Sequence, residues 1–584
     1  MPPSPMDIDL PSPPGQPPDF YQPLPPHTQS IRLLRLHPSR LPSSPLVVTL
    51  HTYPLNSSPP YESISYVWGA PSIAPVVISC NDTPFPITPN LHWALCRVRL
   101  RDQFRFVWAD AICVNQGDVA ERAAQVAFMG KIYATARRVL VCMGEAPTVG
   151  GERAVLELLW RFQGGPRGIA DILGDGTGWA AVAELMGRPW FRRTWVMQEV
   201  GMAREAVVLY GMEEFGYREL MGLVGWSGTR TELIKYGIVT WRIHREWLDW
   251  ERWEGREEKT FFDLLDHASL LSCHDPRDRV YAFLGHPLAQ RADGKGPILM
   301  PDYTKDVNEL YWEVARVCLD MVGLKALTTV EHTEESLDDG YPSWVTRWNI
   351  THMANSISQF PRTTFRTGGP ADPSYRPSSQ GPVLLLPGAT ADTLWVCFRI
   401  GWLGGNDRRV YFTEVGNPGH PLGLGDLLVL LTNDQVFSVY GSGVEERLGA
   451  FGLTLCASPP DYRATKEHLY GLKRLLALEK AMPGVDPMHP EVVDAMAFWA
   501  KLTASATGRT FAVTERGLYG LVPQLARPGD KVCAIRGLDV PLVMRVVAAR
   551  HALLGEAYVH GIMEGEAMSA VMNGALQEDV FAVS

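Results

Sequence analysis

Apolar positions between residues 61 and 143 follow two different spacings. Residues 104–112 and 138–143 form largely apolar runs, which are typical of strands buried in a parallel sheet, and residues 61–68 predict a strand that ends in a tight turn. Between these runs, residues 90–100 and 118–136 place apolar side chains every three or four positions, which is typical of helices. This alternation predicts an α/β fold with a parallel sheet, in which ligands bind beyond the carboxyl ends of the strands.

The pattern on either side of this region predicts four further parts of the chain. Residues 1–29 are rich in proline and are expected to form a disordered tail, and the α/β domain is expected to cover 30–210. A helical region is predicted at 211–353. Residues 354–382 are rich in Ser, Pro, Gly and Thr and predict a linker or long loop.

The C-terminal part, residues 383–584, is predicted to be β-rich. The apolar pattern of residues 383–457 predicts a strand-rich segment, and short strands at regular spacing beyond residue 509 predict a small β-barrel-like domain. A helical insertion is expected at about 461–507. In the helical region before this domain, four tryptophans are spaced as an interface or core stripe rather than a cofactor site: Trp241, Trp247, Trp250 and Trp253.

Composition narrows the classes of function. The chain of 584 residues has a net charge of −10 and no long basic run, so we expect no nucleic-acid partner. Its nine cysteines are scattered and none falls at zinc-ligand spacing, which fits a reducing compartment and predicts no metal site. The N-terminus lacks the apolar core of a signal peptide, and no apolar run is long enough to span a bilayer. We therefore expect a cytoplasmic protein without a membrane span.

The segment 188–200 contains the first candidate for chemistry. Pro189 suits the first turn of a helix, and a helix is predicted at 188–203. In such a helix Trp195 and Glu199 would share a face, and an acid beside an indole at a pocket wall would have its pKa changed by burial. The alternative is a surface helix whose tryptophans pack inward and whose Glu199 pairs with Arg192 or Arg193.

Four segments together resemble the fungal heterokaryon incompatibility (HET) domain proteins. They are residues 61–69, 107–116, 188–199 and 275–285, whose sequences are YESISYVWG, VWADAICVNQ, RPWFRRTWVMQE and DPRDRVYAFLG. The first three mark the HET domain, and the fourth, with residues 555–561, resembles the larger architecture that these proteins share. The family pattern usually has Ile where this chain has Ala109. The resemblance implies non-self recognition that triggers regulated cell death.

The same resemblance suggests a site. The HET domain is similar to the TIR domain, whose fold is flavodoxin-like, and some TIR domains cleave the nicotinamide–ribose bond of NAD⁺ with a glutamate in the pattern W-C-x-x-E. Residues 195–199 have the same spacing without the cysteine, so this role would fall to Glu199. NAD⁺ would then be a substrate, and no cofactor is expected. A carboxylate beside the ribose would stabilise the developing oxocarbenium charge.

The residues expected to contact such a substrate lie at the strand ends. Trp68 or Trp108 would stack on a ring of NAD⁺ and Trp195 would border the site, while polar contacts would come from Asp110, Asn115 and Gln116. The alternative is that the two strand-end tryptophans belong to the core and that 110–116 holds a loop through side-chain-to-backbone bonds.

Two hypotheses remain open after this stage. The favoured one is a signalling module that associates with itself or with other incompatibility proteins, because no glycine-rich or basic phosphate cradle is visible in the sequence. The other is an NAD⁺ glycohydrolase with Glu199 as its catalytic carboxylate, so whether the protein is an enzyme stays undecided.

Overall fold

A computed structural model describes most of the chain. The described residues are 21–25, 29–41, 43–69, 74–164, 168–228, 230–238, 259–291, 293, 296–350, 357, 365–370, 375–377, 382–402, 409–417, 419–433, 439–440, 443–458, 462–480 and 490–584. Most of the predicted tail and linker, and the stripe of four tryptophans, lie outside them. The chain divides into two compact units, one covering residues 6–307 and the other residues 308–584.

The first unit is organised around one sheet. Its strands are β1 (Ser30–Leu36), β2 (Val47–Pro54), β3 (Glu62–Tyr66), β4 (Val76–Cys80), β5 (Thr83–Ile87), β6 (Arg105–Trp108), β7 (Val139–Gly144), β8 (Ala206–Tyr210) and β9 (Glu213–Gly216), and they lie in the order β5-β4-β2-β1-β6-β3-β7-β8-β9. The central strands β6, β3, β7 and β8 are mutually parallel, while β1 and β9 flank them antiparallel. The predicted parallel sheet of an α/β fold is therefore confirmed, with antiparallel additions.

Helices connect the parallel strands and also follow the last strand of the sheet. They are α1 (Pro89–Val98), α2 (Asp110–Cys113), α3 (Val119–Val126), α4 (Met129–Thr135), α5 (Gly151–Phe162), α6 (Ile169–Leu173), α7 (Gly176–Met186), α8 (Val196–Gly201), α9 (Tyr217–Ser227), α10 (Phe261–His267) and α11 (Asp278–Tyr281). As the pattern predicts, α3 begins after Asp118, whose side chain accepts hydrogen bonds from the backbone of Ala120 and Glu121. The predicted single helix at 118–136 is interrupted between α3 and α4.

The predicted helix at 188–203 is wrong as a single element. A 3₁₀ helix covers Pro189–Arg192, Arg193 is extended, and only then does α8 begin. The backbone of Ser272 accounts for the break, because its carbonyl accepts from the Thr194 N–H at 2.9 Å and its N–H donates to the Arg192 carbonyl. A contact from a distant segment therefore replaces the helical hydrogen bonds that the local pattern favours.

The second unit combines helices with another sheet. Its helices are α12 (Val307–Val322), α13 (Glu334–Leu337), α14 (Leu424–Asn433), α15 (Val444–Leu455), α16 (Tyr462–Lys480), α17 (Pro490–Ala506) and α18 (Glu566–Met572). Helices α16 and α17 coincide with the expected insertion at 461–507. The strand-rich prediction for 383–457 is wrong over α14 and α15, which pack apolar residues such as Leu427 and Phe451 into the same core as the strands.

The strands of the second unit include one closed circuit of pairings. They are β10 (Arg376–Pro377), β11 (Leu384–Trp402), β12 (Val410–Glu414), β13 (Leu422–Gly423), β14 (Arg509–Thr514), β15 (Tyr519–Pro523), β16 (Lys531–Ile535), β17 (Leu542–Val547), β18 (Arg550–Glu556), β19 (Tyr558–Val559) and β20 (Asp579–Val583). The long strand β11 changes register twice, so its first half pairs with β16 and β20 and its second half with β12 and β14. Because β16 also pairs with β17, β17 with β18 and β18 with β20, the pairing returns to β11.

Candidate functional site

Glu199 is buried against the central sheet. It lies in α8 and is 2% exposed, and its carboxylate accepts a hydrogen bond from the hydroxyl of Ser65 in β3. The guanidinium of Arg193 donates to both carboxylate oxygens at 3.2 Å. Glu199 therefore pairs with Arg193, as the alternative interpretation of the sequence allowed. The surface helix that was part of that interpretation is wrong, because α8 is almost entirely buried.

Ser65 connects this acid to a second buried side chain. The indole N–H of Trp190, which is 1% exposed, donates to the Ser65 hydroxyl oxygen at 2.8 Å. The hydroxyl can then donate onward to Glu199, so Trp190, Ser65 and Glu199 form one directed chain of hydrogen bonds. Sequence reasoning did not select Ser65 or Trp190 as site residues. The available signal was two serines, Ser63 and Ser65, in a strand predicted to lie in the sheet, since a buried hydroxyl needs a partner.

Asp110 lies at the rim of the same cluster, directly after β6. One carboxylate oxygen accepts from the indole N–H of Trp68 at 2.8 Å, and the other accepts from the backbone N–H of Ala111 at 2.8 Å. Gln116 donates its side-chain amide to the Asp110 carbonyl at 3.0 Å. Trp68 and Asp110 are only half-buried, so this pair borders solvent at the carboxyl ends of the strands.

Arg193 links the two acids electrostatically. Burial raises the pKa of Glu199, and the nearby guanidinium of Arg193 and the Ser65 hydroxyl oppose that rise. Burial also raises the pKa of Asp110, against the opposing charge of Arg193 and the bond from Trp68. The pKa of Arg193 is raised although its own burial favours loss of charge, because both carboxylates stabilise the cation. Two acids therefore share one arginine that is 18% exposed.

Asn115 and Trp108 lie beneath this rim. The backbone N–H of Asn115 donates to Glu121 at 2.8 Å, and its side-chain oxygen accepts from the Gly117 N–H, so it shapes the loop. Glu121 is itself paired with the buried Arg32 at 2.8 Å, an ion pair that sequence reasoning missed. Trp108 is fully buried and packs edge-on against Tyr133 with ring centroids 5.3 Å apart. These positions fit the loop-holding and core alternatives.

Comparisons with known proteins give a family match in each of the two units. Residues 61–199 match the family model described as "Heterokaryon incompatibility protein (HET)", and residues 478–583 match the one described as "Het-6 beta-barrel domain". "Heterokaryon incompatibility protein 6, OR allele" of Neurospora crassa is 23% identical to this chain, over 95% of the chain and 96% of that protein. These matches support a heterokaryon incompatibility protein. No solved structure matches the chain.

The HET match ends at Glu199, but the contacts of α8 continue beyond it. The indole N–H of Trp195 donates to Asp278 at 2.9 Å, and the hydroxyl of Tyr303 donates to the other oxygen of the same carboxylate at 2.7 Å. Burial raises the pKa of Asp278 to about 7. The Gln198 amide donates to the Tyr281 carbonyl at 3.3 Å. Trp195 and Gln198 thus tie the helix that carries Glu199 to the 275–285 motif.

Clusters of metal-ligating side chains and long apolar helices are absent from the part of the chain that the structure describes. No group of three or more His, Cys, Asp or Glu side chains there is placed to hold a metal ion. Among the same residues, no helix is both long and apolar enough to cross a bilayer.

Proposed function

We propose that the protein is a signalling module of non-self recognition that promotes regulated cell death by associating with itself or with other incompatibility proteins. The family match supports the recognition role. The observation that favours association over chemistry is the state of Glu199, which is 2% exposed and bonded to both Arg193 and Ser65. A carboxylate engaged in this way fixes α8 against β3 and is not accessible to a substrate.

One edge of the first sheet is poorly suited to this association. The edge strand β5 contains Pro84 and Pro86, two positions apart on the same side of the strand. Proline has no backbone N–H, so the outward side of this edge lacks donors for a further strand. An exposed helix face is the better candidate surface, and α5 presents Trp160 with 59% of its surface exposed.

Expression in fungal cells with a viability readout tests the proposal. We expect Glu199→Gln, at matched amounts of folded protein, to promote cell death as well as wild type does. Glu205→Gln is the matched control, because Glu205 is an exposed glutamate a few residues away. Loss of cell death in folded Glu199→Gln, with Glu205→Gln still active, would refute the association mechanism.

The surface is tested separately. We expect Trp160→Glu to abolish both cell death and association, measured by light scattering of the purified chain and by co-purification from cells, whereas Trp160→Phe keeps both. If Trp160→Glu remains fully active, α5 is not the contact surface.

NAD⁺ cleavage by a TIR-like domain is the second candidate. Numbered along the chain, the four parallel strands lie side by side in the order 2-1-3-4, which are β6, β3, β7 and β8. The corresponding strands of flavodoxin-like sheets have the same order, which supports a TIR-like fold. A carboxyl group of raised pKa lies against β3, near the rim formed by Trp68, Asp110 and Gln116.

The closed circuit of strands in the second unit similarly supports the β-barrel prediction.

This activity requires Arg193 to move. Glu199 can stabilise an oxocarbenium-like ribose only after its guanidinium partner gives way to the substrate. Nicotinamide release from NAD⁺ by the purified full chain, compared among wild type, Glu199→Gln and Glu205→Gln, decides the question. Turnover that Glu199→Gln stops and Glu205→Gln preserves would establish the enzyme, and no turnover by wild type in any assembled state would exclude it.

A further inference from the structure

Residues 21–25 connect the N-terminal segment to the loop that follows β6. The hydroxyl of Tyr21 donates to the backbone carbonyl of Ile112 at 2.8 Å. The backbone carbonyl of Gln22 accepts from the guanidinium of Arg32, in β1, at 2.7 Å. These residues belong to the proline-rich stretch for which the sequence predicts a disordered tail, yet they are bonded at two points to the α/β domain.

These contacts complete the end of a helix that has only one turn. Helix α2 contains four residues, so the carbonyls of its last residues have no partner within the helix. The Ile112 carbonyl is bonded by Tyr21 instead, and the Cys113 carbonyl accepts from Arg32 at 3.2 Å. A single helical turn is marginal in isolation, because fixing its backbone costs more than its few hydrogen bonds return. The position of α2 therefore depends on partners outside it.

Arg32 holds the N-terminal segment and the same loop together. It is 2% exposed, and its guanidinium lies 5.0 Å from the centre of the Tyr21 ring. It also pairs with Glu121 at 2.8 Å, and Glu121 accepts from the backbone N–H of Asn115 at 2.8 Å. Because one buried guanidinium bonds to Gln22 and supports the loop, movement of the N-terminal segment changes the bonding of the loop directly.

The segment can detach without opening the core of the domain. Tyr21 and Leu24 are half-buried, whereas Gln22, Pro23 and Pro25 are exposed. Local opening of such a segment costs far less than global unfolding, because few buried apolar contacts are broken. Its contacts are thus suited to being made and released in the folded protein.

Asp110 places the rim of the candidate site at the other end of this connection. It is the first residue of α2, and its carboxylate accepts from the Trp68 indole at 2.8 Å. We propose that residues 21–25 are a latch on the candidate site: when docked they hold α2 in place, and when detached they release Asp110 from Trp68. The inference concerns the rim itself, so it goes beyond both proposed functions and rests on neither.

Hydrogen exchange of the intact chain tests the latch at Tyr21. Tyr21→Phe keeps a ring over Arg32 but removes the donor to Ile112, so amides within residues 110–117 should exchange about fivefold faster than in wild type. Tyr21→Ala should accelerate them further, because the contact between the ring and the guanidinium is also lost.

Tyr61→Phe is the matched control for this measurement. The Tyr61 hydroxyl also donates to a helix carbonyl, that of Ile132 in α4, at 2.6 Å. Its loss should accelerate exchange in α4 but not in residues 110–117. Unchanged exchange of 110–117 in Tyr21→Phe would overturn the proposal, because Tyr21 would then not hold the loop. Equal acceleration of 110–117 by Tyr21→Phe and Tyr61→Phe would also overturn it, because the loop would then report only the overall stability.

The reverse direction tests whether the rim and the latch are coupled, since a coupling between two sites acts equally both ways. Trp68→Phe removes the indole donor to Asp110 and should make chymotrypsin cleavage between Tyr21 and Gln22, followed by mass spectrometry, severalfold faster. Trp93→Phe is the control, because its indole donates to Glu145 at 2.9 Å, outside α2, and it should leave the cleavage rate unchanged. A cleavage rate that Trp68→Phe does not change would show that the two parts open independently and that the proposal is wrong.

Discussion

Replacing Arg193 by methionine tests whether the buried ion pair holds α8 in place. Methionine has a similar length without charge, so Arg193→Met leaves the carboxylate of Glu199, 2% exposed, with Ser65 as its described partner. Removing one member of a buried pair costs about 3–5 kcal/mol, because the other charge stays buried and uncompensated. Glu199→Gln costs about 1–3 kcal/mol, since the amide keeps an acceptor for Ser65.

The double variant shows whether the charges of Arg193 and Glu199 stabilise each other. Arg193→Met/Glu199→Gln removes both charges, and its cost is expected to be about 1–3 kcal/mol, well below the sum of the two single variants. The coupling between the two positions, the sum of the single costs minus the cost of the double variant, should therefore be about 3–5 kcal/mol. Because the chain has two units, hydrogen exchange of the α8 amides in the intact protein is the suitable assay, since it reports local opening rather than global unfolding.

The pH dependence gives an internal check on the same variant. Burial raises the pKa of Glu199, so the folded state binds its proton more tightly than the unfolded state, and the stability contributed by this group falls as pH rises through the raised pKa. Without Arg193 the pKa should rise further, and the cost of Arg193→Met should be larger at pH 8 than at pH 5. Additive single variants, or a cost that does not change with pH, would refute the pairing argument.

Three further changes test the contacts around α8. Asp278→Asn should make the free energy of unfolding less dependent on pH between about 4 and 7, and thermal melts across this pH range check the prediction. The pKa of the Asp278 carboxyl moves from 3.8 to about 7 on folding, so up to about 4 kcal/mol of stability is lost as pH rises. The amide of Asn can accept from Trp195 and donate to Tyr303, so the variant keeps both contacts. Ser65→Ala should cost about 2–4 kcal/mol, because the Trp190 N–H and Glu199 both lose a partner, and hydrogen exchange at α8 measures it. A Cβ at Gly285 would lie 2.8 Å from the side-chain oxygen of Gln198, so Gly285→Ala should cost about 1–3 kcal/mol, and Gln198→Ala in the same chain should recover part of that cost in the same assay.

Local sequence patterns predicted the strands and helix ends that depend on interactions between residues close together in the chain. The strand predicted at 61–68 is β3, and the apolar runs at 104–112 and 138–143 contain β6 and β7, because a strand buried on both faces favours apolar side chains on both. The N-terminus of α3 was predictable from Asp118, whose side chain satisfies the first backbone donors. Such features depend on neighbours within a few residues, which a single sequence displays directly.

The elements that were missed depend on distant partners. Nothing near 188–203 reveals that Ser272 will take the hydrogen bonds of Arg192 and Thr194 and end the helix. The same contact leaves Arg193 in an extended conformation beside Glu199, while Arg192 is exposed, so the choice between the two arginines was not available from spacing. Ser65 was a local sign of the buried cluster, but Ser63, which is equally buried in the same strand, gives the same signal.

The position of Asp278 changes how the first unit should be divided. The family match ends at residue 199 and the α/β pattern near 210, yet Trp195 and Gln198 make their hydrogen bonds to Asp278 and Tyr281. Ser272, before that motif, bonds to Arg192 and Thr194, and Gly285, at its end, lies beside Gln198. A fragment that ends at 210 would expose the indole N–H, the glutamine and the backbone at Arg192 together. Since these contacts fix the path of the chain into α8, the geometry at Glu199 is a property of residues up to Tyr303 and not of the matched segment alone.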